Sequence, residues 1–354
     1  MTGFAGKSVL VTGHTGFKGS WLSLWLLKMG ARVTGLALAP ETSPSIFDQL
    51  GLAKQLDHRV ADICDTTAVD KAVADSRPDF VFHLAAQPLV LASYEAPRAT
   101  FQTNVLGTAT LFDALLKAGQ PCAVVVVTTD KVYRNTGSGQ RFGEEAVLGG
   151  HDPYSASKAA TELVVEAYRA SFLYAAGIRV ATARAGNVIG GGDWAENRIL
   201  PDLIRALIAD RPIDIRNPSA VRPWQHVFDP LHGYLDLALA LAKSQPGTET
   251  AFNFGPADSA ERSVRDLVAT ALDAWPEPHR GWRDAQNATA RREAAHLALC
   301  ADRAVARLGW RPRLSFDRSV TETVHWYHQS QGCTPNAIAD MSLAALTRYE
   351  AVNA

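Results

Sequence analysis

Short apolar runs alternate with helical patterns through the first half of the chain. SVLVTG at 8–13 predicts a strand, and SWLSLWLLKMG at 20–30 has helical spacing ending on Gly30, a C-cap residue. ARVTGLAL at 31–38 predicts a second strand, 65–76 a helix, and DFVFHLAA at 79–86 a third strand. A helix over 104–119, the strand CAVVVVTT at 122–129, a long helix over 154–177 and the strand IRVATAR at 178–184 follow. Strand, helix, strand at this rhythm predicts βαβ units with right-handed crossovers, and so a doubly wound parallel sheet covered on both faces. Past Ala185 the pattern loosens: GNVIGGGDW is glycine-rich, and Pro, Trp and Arg become frequent. The expected organisation is an α/β domain over 1–185 and a smaller C-terminal domain over 186–354. Parts of 225–256 are expected to return to the first domain, because TAFNFGP at 250–256 is again strand-like.

Charge removes some classes of partner. A formal net charge of −1 over 354 residues gives no long-range attraction to nucleic acid or to an anionic membrane. Contact with a polyanion must therefore come from a few placed arginines. The four cysteines, Cys64, Cys122, Cys300 and Cys333, form no CxxC pair and no zinc spacing. They read as free thiols in a reducing compartment, with no metal site. The start MTGFAGK runs straight into a strand, and no apolar stretch approaches transmembrane length. The expectation is a soluble cytoplasmic protein.

The first strand ends in VTGHTGFKGSW, with Gly13, Gly16 and Gly19 three apart and a helix beginning at once. Glycines there allow a tight turn and let a pyrophosphate approach the N–H groups of the helix N-terminus. A strand before and a helix after supply the context that a glycine triplet needs to be read as a dinucleotide fingerprint. Where the second strand ends, LALAPE places Ala39 where a ribose-binding acid is convenient, with Glu41 past a proline and no arginine cluster for a 2′-phosphate. The reading is NAD, loosely held. Asp62 in ADIC and the segment HLAAQ at 83–87 end strand patterns on the ligand side of such a sheet. For Asp62 a helix N-cap region is an equal alternative, and His83 reads as structural.

Tyr154 and Lys158 lie four apart on a helical segment and share a face. A nearby ammonium favours phenolate, so the pair predicts a tyrosine tuned downward to act as a general base. One loop earlier stands TTDKVY at 128–133, where Asp130 and Lys131 end the most apolar strand of the chain. A lysine serves as base only when burial or a neighbouring cation lowers its pKa, whereas an aspartic acid donor needs the opposite help. The two residues are therefore surer than their separate roles.

TGHTGFKG, HLAAQ, TTD and YSASK together resemble the extended short-chain dehydrogenase/reductase family. The longer matches VLVTGHTGFKGSWL, TTDKVY, DPYSASK, GNVIGGGDW, NRILPD and RPWQHV are similar to its nucleotide-sugar 4,6-dehydratase branch, from about Lys7 to about Pro312. The resemblance implies a Rossmann-type sheet with a C-terminal substrate-binding domain. It implies NAD contacts from Gly13, Thr15, Gly16, Phe17, Lys18, Gly19, Asp62, Ile63, Leu84, Ala85 and Ala86, joined by Tyr154 and Lys158. It also implies a CDP-glucose substrate and deoxysugar biosynthesis, since related dehydratases for dTDP-glucose carry Asp-Glu where Asp130 and Lys131 stand.

In the implied reaction Tyr154 takes the proton of the 4-hydroxyl with Thr129 beside it, Lys131 removes the carbon-5 proton, and Asp130 protonates the departing 6-hydroxyl. Thr128 is structural. Asn187, Arg198, Arg222 and His226 are implied for the sugar and the diphosphate, with Pro223 and Trp224 stiffening the Arg222 loop. A homodimer or dimer of dimers is implied through the helices at 104–118 and 154–174. The same chemistry on another nucleotide sugar, a nucleotide-sugar epimerase and an NAD-sensing Rossmann protein are the alternatives. The paired Asp130 and Lys131 disfavour the epimerase, and retention of Tyr154 and Lys158 disfavours the sensor.

Overall fold

The computed structural model describes residues 3–137, 139–256, 261–285 and 297–352. Seven strands form its central sheet: β1 (Ser8–Thr12), β2 (Arg32–Ala37), β3 (Asp57–Val60), β4 (Phe80–His83), β5 (Ala123–Val127), β6 (Arg179–Ala185) and β7 (Ala251–Phe254). The order across the sheet is β7-β6-β5-β4-β1-β2-β3, and every pairing is parallel. The order reverses between β1 and β4, which opens a crevice beyond the strand ends where ligands of such sheets bind.

Two helical layers explain the apolar strands. Val125 and Val127 of β5 face a core shared with α1 (Phe17–Lys28), while Val124 and Val126 face α2 (Thr66–Ser76), α3 (Gly107–Ala118) and α4 (Pro153–Tyr168). Both faces of β5 are buried, so its valines run without alternation. The first layer also contains α5 (Phe228–Ala242), which packs on β5 and β6. Residues 225–256 therefore contribute α5 and β7 to the N-terminal sheet.

The remainder of the described chain adds short strand pairs and helices beyond the strand ends. Val221–Pro223 pairs antiparallel with Glu261–Ser263, and Gln225–His226 pairs with Val188–Ile189. Helix α6 (Phe316–Ser330) and helix α7 (Pro335–Ala351) close the chain. The tail past Gly332 folds back on α1 and α5: Trp25 donates to Glu350 at 2.8 Å and Tyr349 donates to Asp229 at 2.8 Å. Trp310 is buried and donates to the Asp229 carbonyl at 3.0 Å, whereas residues 293–296 of the segment matched by resemblance lie outside the described residues.

Three elements differ from the sequence expectation. β3, with the polar sequence DHRV at the sheet edge, has no apolar alternation to reveal it. The helix expected over 104–119 begins earlier, as Pro97–Phe101, and passes through a wide π-type turn at Gln102–Leu106. The strand at 79–86 stops at His83, because Leu84 and Ala85 turn over the Thr12 carbonyl and hydroxyl.

Candidate active site

The glycine turn lies at the sheet's switch point. Gly13 has φ +75°, and a Cβ there would stand 2.6 Å from the Ala85 nitrogen, so HLAAQ packs directly against the turn. At Gly19 a Cβ would meet the Gly13 carbonyl oxygen at 2.1 Å, which draws α1 onto the turn. Gly16 is exposed and caps α1 without a side-chain hydrogen bond, and no acidic residue occupies the first turn. Uncovered N–H groups behind an exposed glycine fit a dinucleotide pyrophosphate.

Thr15 donates to the Leu38 carbonyl at 2.9 Å and locks the turn to the end of β2. Phe17 points at the Gly190 backbone, and Ile63 is buried against Gly107. Asp62 accepts from the Cys64 N–H at 2.9 Å in a tight turn, while the N-cap of α2 is Asp65. His83 bridges Thr12 at 2.7 Å and Thr108 at 3.0 Å in the core. Ala86 is half-buried beside them.

Tyr154 and Lys158 stand on the buried face of α4, whose N-terminus is capped by Asp152 and opened by Pro153. Lys158 donates to the Val127 carbonyl at 3.1 Å. Burial lowers its pKa to about 8, with the Glu162 carboxylate opposing the shift. The Tyr154 phenol is pushed up to about 12 by burial, and its hydrogen bond with Thr129 acts against that. The expectation of a tyrosine lowered by Lys158 is thus corrected. Loss of water outweighs the ammonium, whose donor is directed at a backbone carbonyl.

The TTDKVY segment leaves β5 as a tight helical turn, Asp130–Val132, capped by Thr129. The Thr129 hydroxyl donates to Asp130 Oδ1 at 3.0 Å. Asp130 Oδ2 is buried without a hydrogen-bond partner among the described residues, and a Cβ at Gly186 would sit 2.9 Å from it. Lys131 is half-buried, and no described residue forms an ion pair with its ammonium. Half-buried Lys18 is lowered to about 8 by burial and by Arg198, with Asp130 opposing. Lys18, Asp130, Lys158 and Arg198 thus face one crevice.

The residues named for the substrate lie on three segments, of which those carrying Asn187 and Arg222–His226 adjoin. Arg198 donates to Asp193 at 2.8 Å and lies within electrostatic reach of Tyr154. The Asn187 carbonyl accepts from the Gln225 N–H at 3.0 Å, at the junction of the two strand pieces. Arg222 is buried, donating to the Val221 carbonyl at 2.9 Å. His226 stacks edge-on against Phe228 and lines a cavity of about 70 Å³ together with Trp21, Trp326 and Tyr349. Burial depresses its pKa to about 3.

Four buried residues escaped the sequence reading. Asn104 joins the Gln87 N–H at 2.8 Å to the Ser157 hydroxyl at 2.8 Å, while Glu162, Arg184 and Tyr133 form a network behind Thr128. The one available signal was Glu162, an acid continuing the buried Tyr154–Lys158 face by another four residues.

Among the described residues no group of three or more His, Cys, Asp or Glu is placed to hold a metal ion, and no helix is long and apolar enough to cross a membrane.

A parallel doubly wound sheet with a glycine turn at its switch point, and a tyrosine and lysine one helical turn apart beside it, defines a Rossmann-type short-chain dehydrogenase/reductase. The chain belongs to the family described as GDP-mannose 4,6 dehydratase, whose model matches residues 10–323. It is 42% identical over 327 residues to a CDP-glucose 4,6-dehydratase of Salmonella typhimurium, covering 91% of this chain and 90% of that protein. It is 30% identical over 341 residues to a dTDP-glucose 4,6-dehydratase of Xanthomonas campestris, covering 91% and 93%. A solved dTDP-glucose 4,6-dehydratase from Streptomyces venezuelae with NAD bound superposes with a TM-score of 0.76 at 26% identity, covering 92% and 98%. A Thermus thermophilus UDP-glucose 4-epimerase complex with NAD gives a TM-score of 0.77 at 26% identity, covering 90% and 98%.

Proposed function

We propose that this protein is an NAD-dependent nucleotide-sugar 4,6-dehydratase, a hydro-lyase converting CDP-D-glucose to CDP-4-keto-6-deoxy-D-glucose and water. The observation carrying the reading is the continuous run Tyr154–Thr129–Asp130 with Lys131 beside it: a base for oxidation and an acid/base pair for elimination on one turn. The 42% identity to a CDP-glucose 4,6-dehydratase supports the choice of base and sugar.

Bound NAD supplies the acceptor for hydride from carbon 4 and its donor back to carbon 6. Tyr154, as phenolate, takes the proton of the 4-hydroxyl, and Thr129 bonds the same oxygen. Lys158 fixes the Val127 end of the strand beneath them. The 4-ketone acidifies the proton on carbon 5, which the Lys131 amine removes. The carbon 6–oxygen bond then breaks, and the hydroxyl takes a proton from Asp130 and leaves as water. Once carbon 6 is reduced, Lys131 returns its proton to carbon 5, and the proton taken by Tyr154 restores Asp130, so all three residues end as they began.

The substrate's diphosphate is assigned to Arg222 and His226, and the hexose and adjoining phosphate to Asn187 and Arg198. The glycine turn, Thr15, Phe17, Lys18, Asp62, Ile63 and Leu84–Ala86 are assigned to NAD. The two-part organisation divides near residue 185, with α5 and β7 completing the first part. We assign the protein to the cytoplasm. A homodimer is supported by exposed Leu106, Leu163, Phe172 and Tyr174 on the helices outside the second layer.

A side-by-side assay with NAD and CDP-glucose, dTDP-glucose, UDP-glucose and GDP-mannose tests the reading. The expected result is a 4-keto product one water lighter from CDP-glucose. Turnover of another nucleotide alone would replace the substrate, and an epimer formed without loss of water would overturn the chemistry.

A further inference from the structure

Three side chains spaced four residues apart on α4 grip three consecutive residues at the end of β5. Tyr154 bonds Thr129, Lys158 donates to the Val127 carbonyl at 3.1 Å, and Glu162 accepts from the Thr128 hydroxyl at 2.5 Å. Glu162 is buried and fully engaged. Its Oε1 also accepts from Arg184 Nε at 2.9 Å, and its Oε2 from the Thr182 hydroxyl at 2.7 Å and Arg184 Nη2 at 2.8 Å.

Arg184 has one nitrogen left for the far end of the turn. Its Nη1 donates to the Tyr133 hydroxyl at 2.8 Å, and that hydroxyl donates to Asn253 Oδ1 at 2.6 Å. Thr128 and Tyr133 bracket Thr129, Asp130, Lys131 and Val132, so both ends of the turn terminate on one ion pair. Apart from the Tyr133–Asn253 bond to β7, the ties at the far end, Gly149 N to the Val132 carbonyl and Arg134 N to the Val147 carbonyl, lead to a loop rather than to the sheet.

A buried ion pair is a poor source of net stability, because desolvation offsets its attraction and apolar residues of the same volume pack as well. What it supplies here is direction: a planar fork and a carboxylate fix two points about a turn that carries chemistry. We propose that the Glu162–Arg184 pair positions the eliminating residues, setting through Thr128 and Tyr133 where Asp130 and Lys131 meet the sugar. The inference rests on the dehydratase reading of the same site. Glu162 and Arg184 are positioning residues, since neither reaches the crevice side of the turn except through another side chain.

Y133F and T128V test this with little change in volume, and T128S restores the hydroxyl. Positional errors of about 1 Å cost about 100-fold in rate. Y133F and T128V are therefore expected to oxidise the sugar but eliminate about 100-fold more slowly. Absorbance at 340 nm then builds in the first turnover, while KM stays within about threefold. T128S is expected to return elimination to the wild-type rate. In ligand-free protein, hydrogen exchange across 128–133 should accelerate in Y133F while 8–13 is unaltered. Wild-type elimination and exchange in both variants would overturn the proposal, as would slowed turnover with no rise at 340 nm. A wild type that turns over no nucleotide sugar would sink the dehydratase reading instead, and the exchange measurement would still judge the anchoring.

Discussion

Lys158 directs its ammonium at the Val127 carbonyl, 3.1 Å away, although Tyr154 stands one turn back on the same helix face. What opposes the burial of Tyr154 most directly is Thr129, whose hydrogen bond lowers a phenol that burial nonetheless pushes up to about 12. The active phenolate is therefore scarce at neutral pH, and kcat/KM is expected to rise with pH above 7. T129V removes the opposing bond, raises the phenol further and shifts this limb to higher pH, with a loss of about 10²-fold at pH 7.5. A pH–rate profile of T129V superimposable on the wild type would contradict the assignment.

Asp130 and Lys131 separate by isotope. K131M is expected to lose exchange of the carbon-5 proton with deuterated solvent, while D130N retains it and fails to release water. Each loss is about 10²–10⁴-fold in turnover, the usual range for a general acid or base. Mass spectrometry of recovered sugar nucleotide reads both.

Two glycines of the turn should respond differently. In G19A the new Cβ collides with the Gly13 carbonyl, which is backbone and cannot rotate away, so a loss of about 1–3 kcal/mol in stability is expected. In G16A the methyl meets only the same oxygen at 3.4 Å and projects into the exposed approach. It should leave Tm unaltered and weaken NAD by about tenfold, about 1.4 kcal/mol, by titration calorimetry.

Acid should destabilise the protein before its surface carboxylates titrate. Burial holds His14 down to about 4 and His83 and His226 to about 3, whereas the unfolded chain protonates them near 6.5. The unfolded state then binds the extra protons, so stability falls as pH drops from 6.5 toward 4, on the order of a few kcal/mol in total. Asp229 and Asp236, raised to about 6 by burial, slope the other way but are fewer. Denaturant midpoints at pH 7 and pH 4.5 check the sign; a higher midpoint at pH 4.5 would refute it.

The proposed homodimer can be tested on the outer helix face of the second layer. Leu106 and Leu163 are 60% and 62% exposed, apolar surface that the proposed homodimer would cover. L163E is expected to shift sedimentation from dimer to monomer while the far-ultraviolet spectrum is preserved.

Local pattern determined what depends on neighbours in the chain. The unbroken valines of β5, the glycine triplet before α1 and the four-residue spacing of Tyr154 and Lys158 are legible because strand burial, tight turns and helix faces are short-range properties. Tertiary structure alone decided the rest. β3 is a polar edge strand that exists only because β2 offers it hydrogen bonds. Tyr154 moves up rather than down because burial, which no spacing reveals, outweighs a neighbouring charge. Glu162 meets Thr128 across 34 residues, Arg184 meets Glu162 across 22, and Tyr133 meets Asn253 across 120. Such contacts form only when the sheet closes, so the sequence named Asp130 and Lys131 but not what holds them in place.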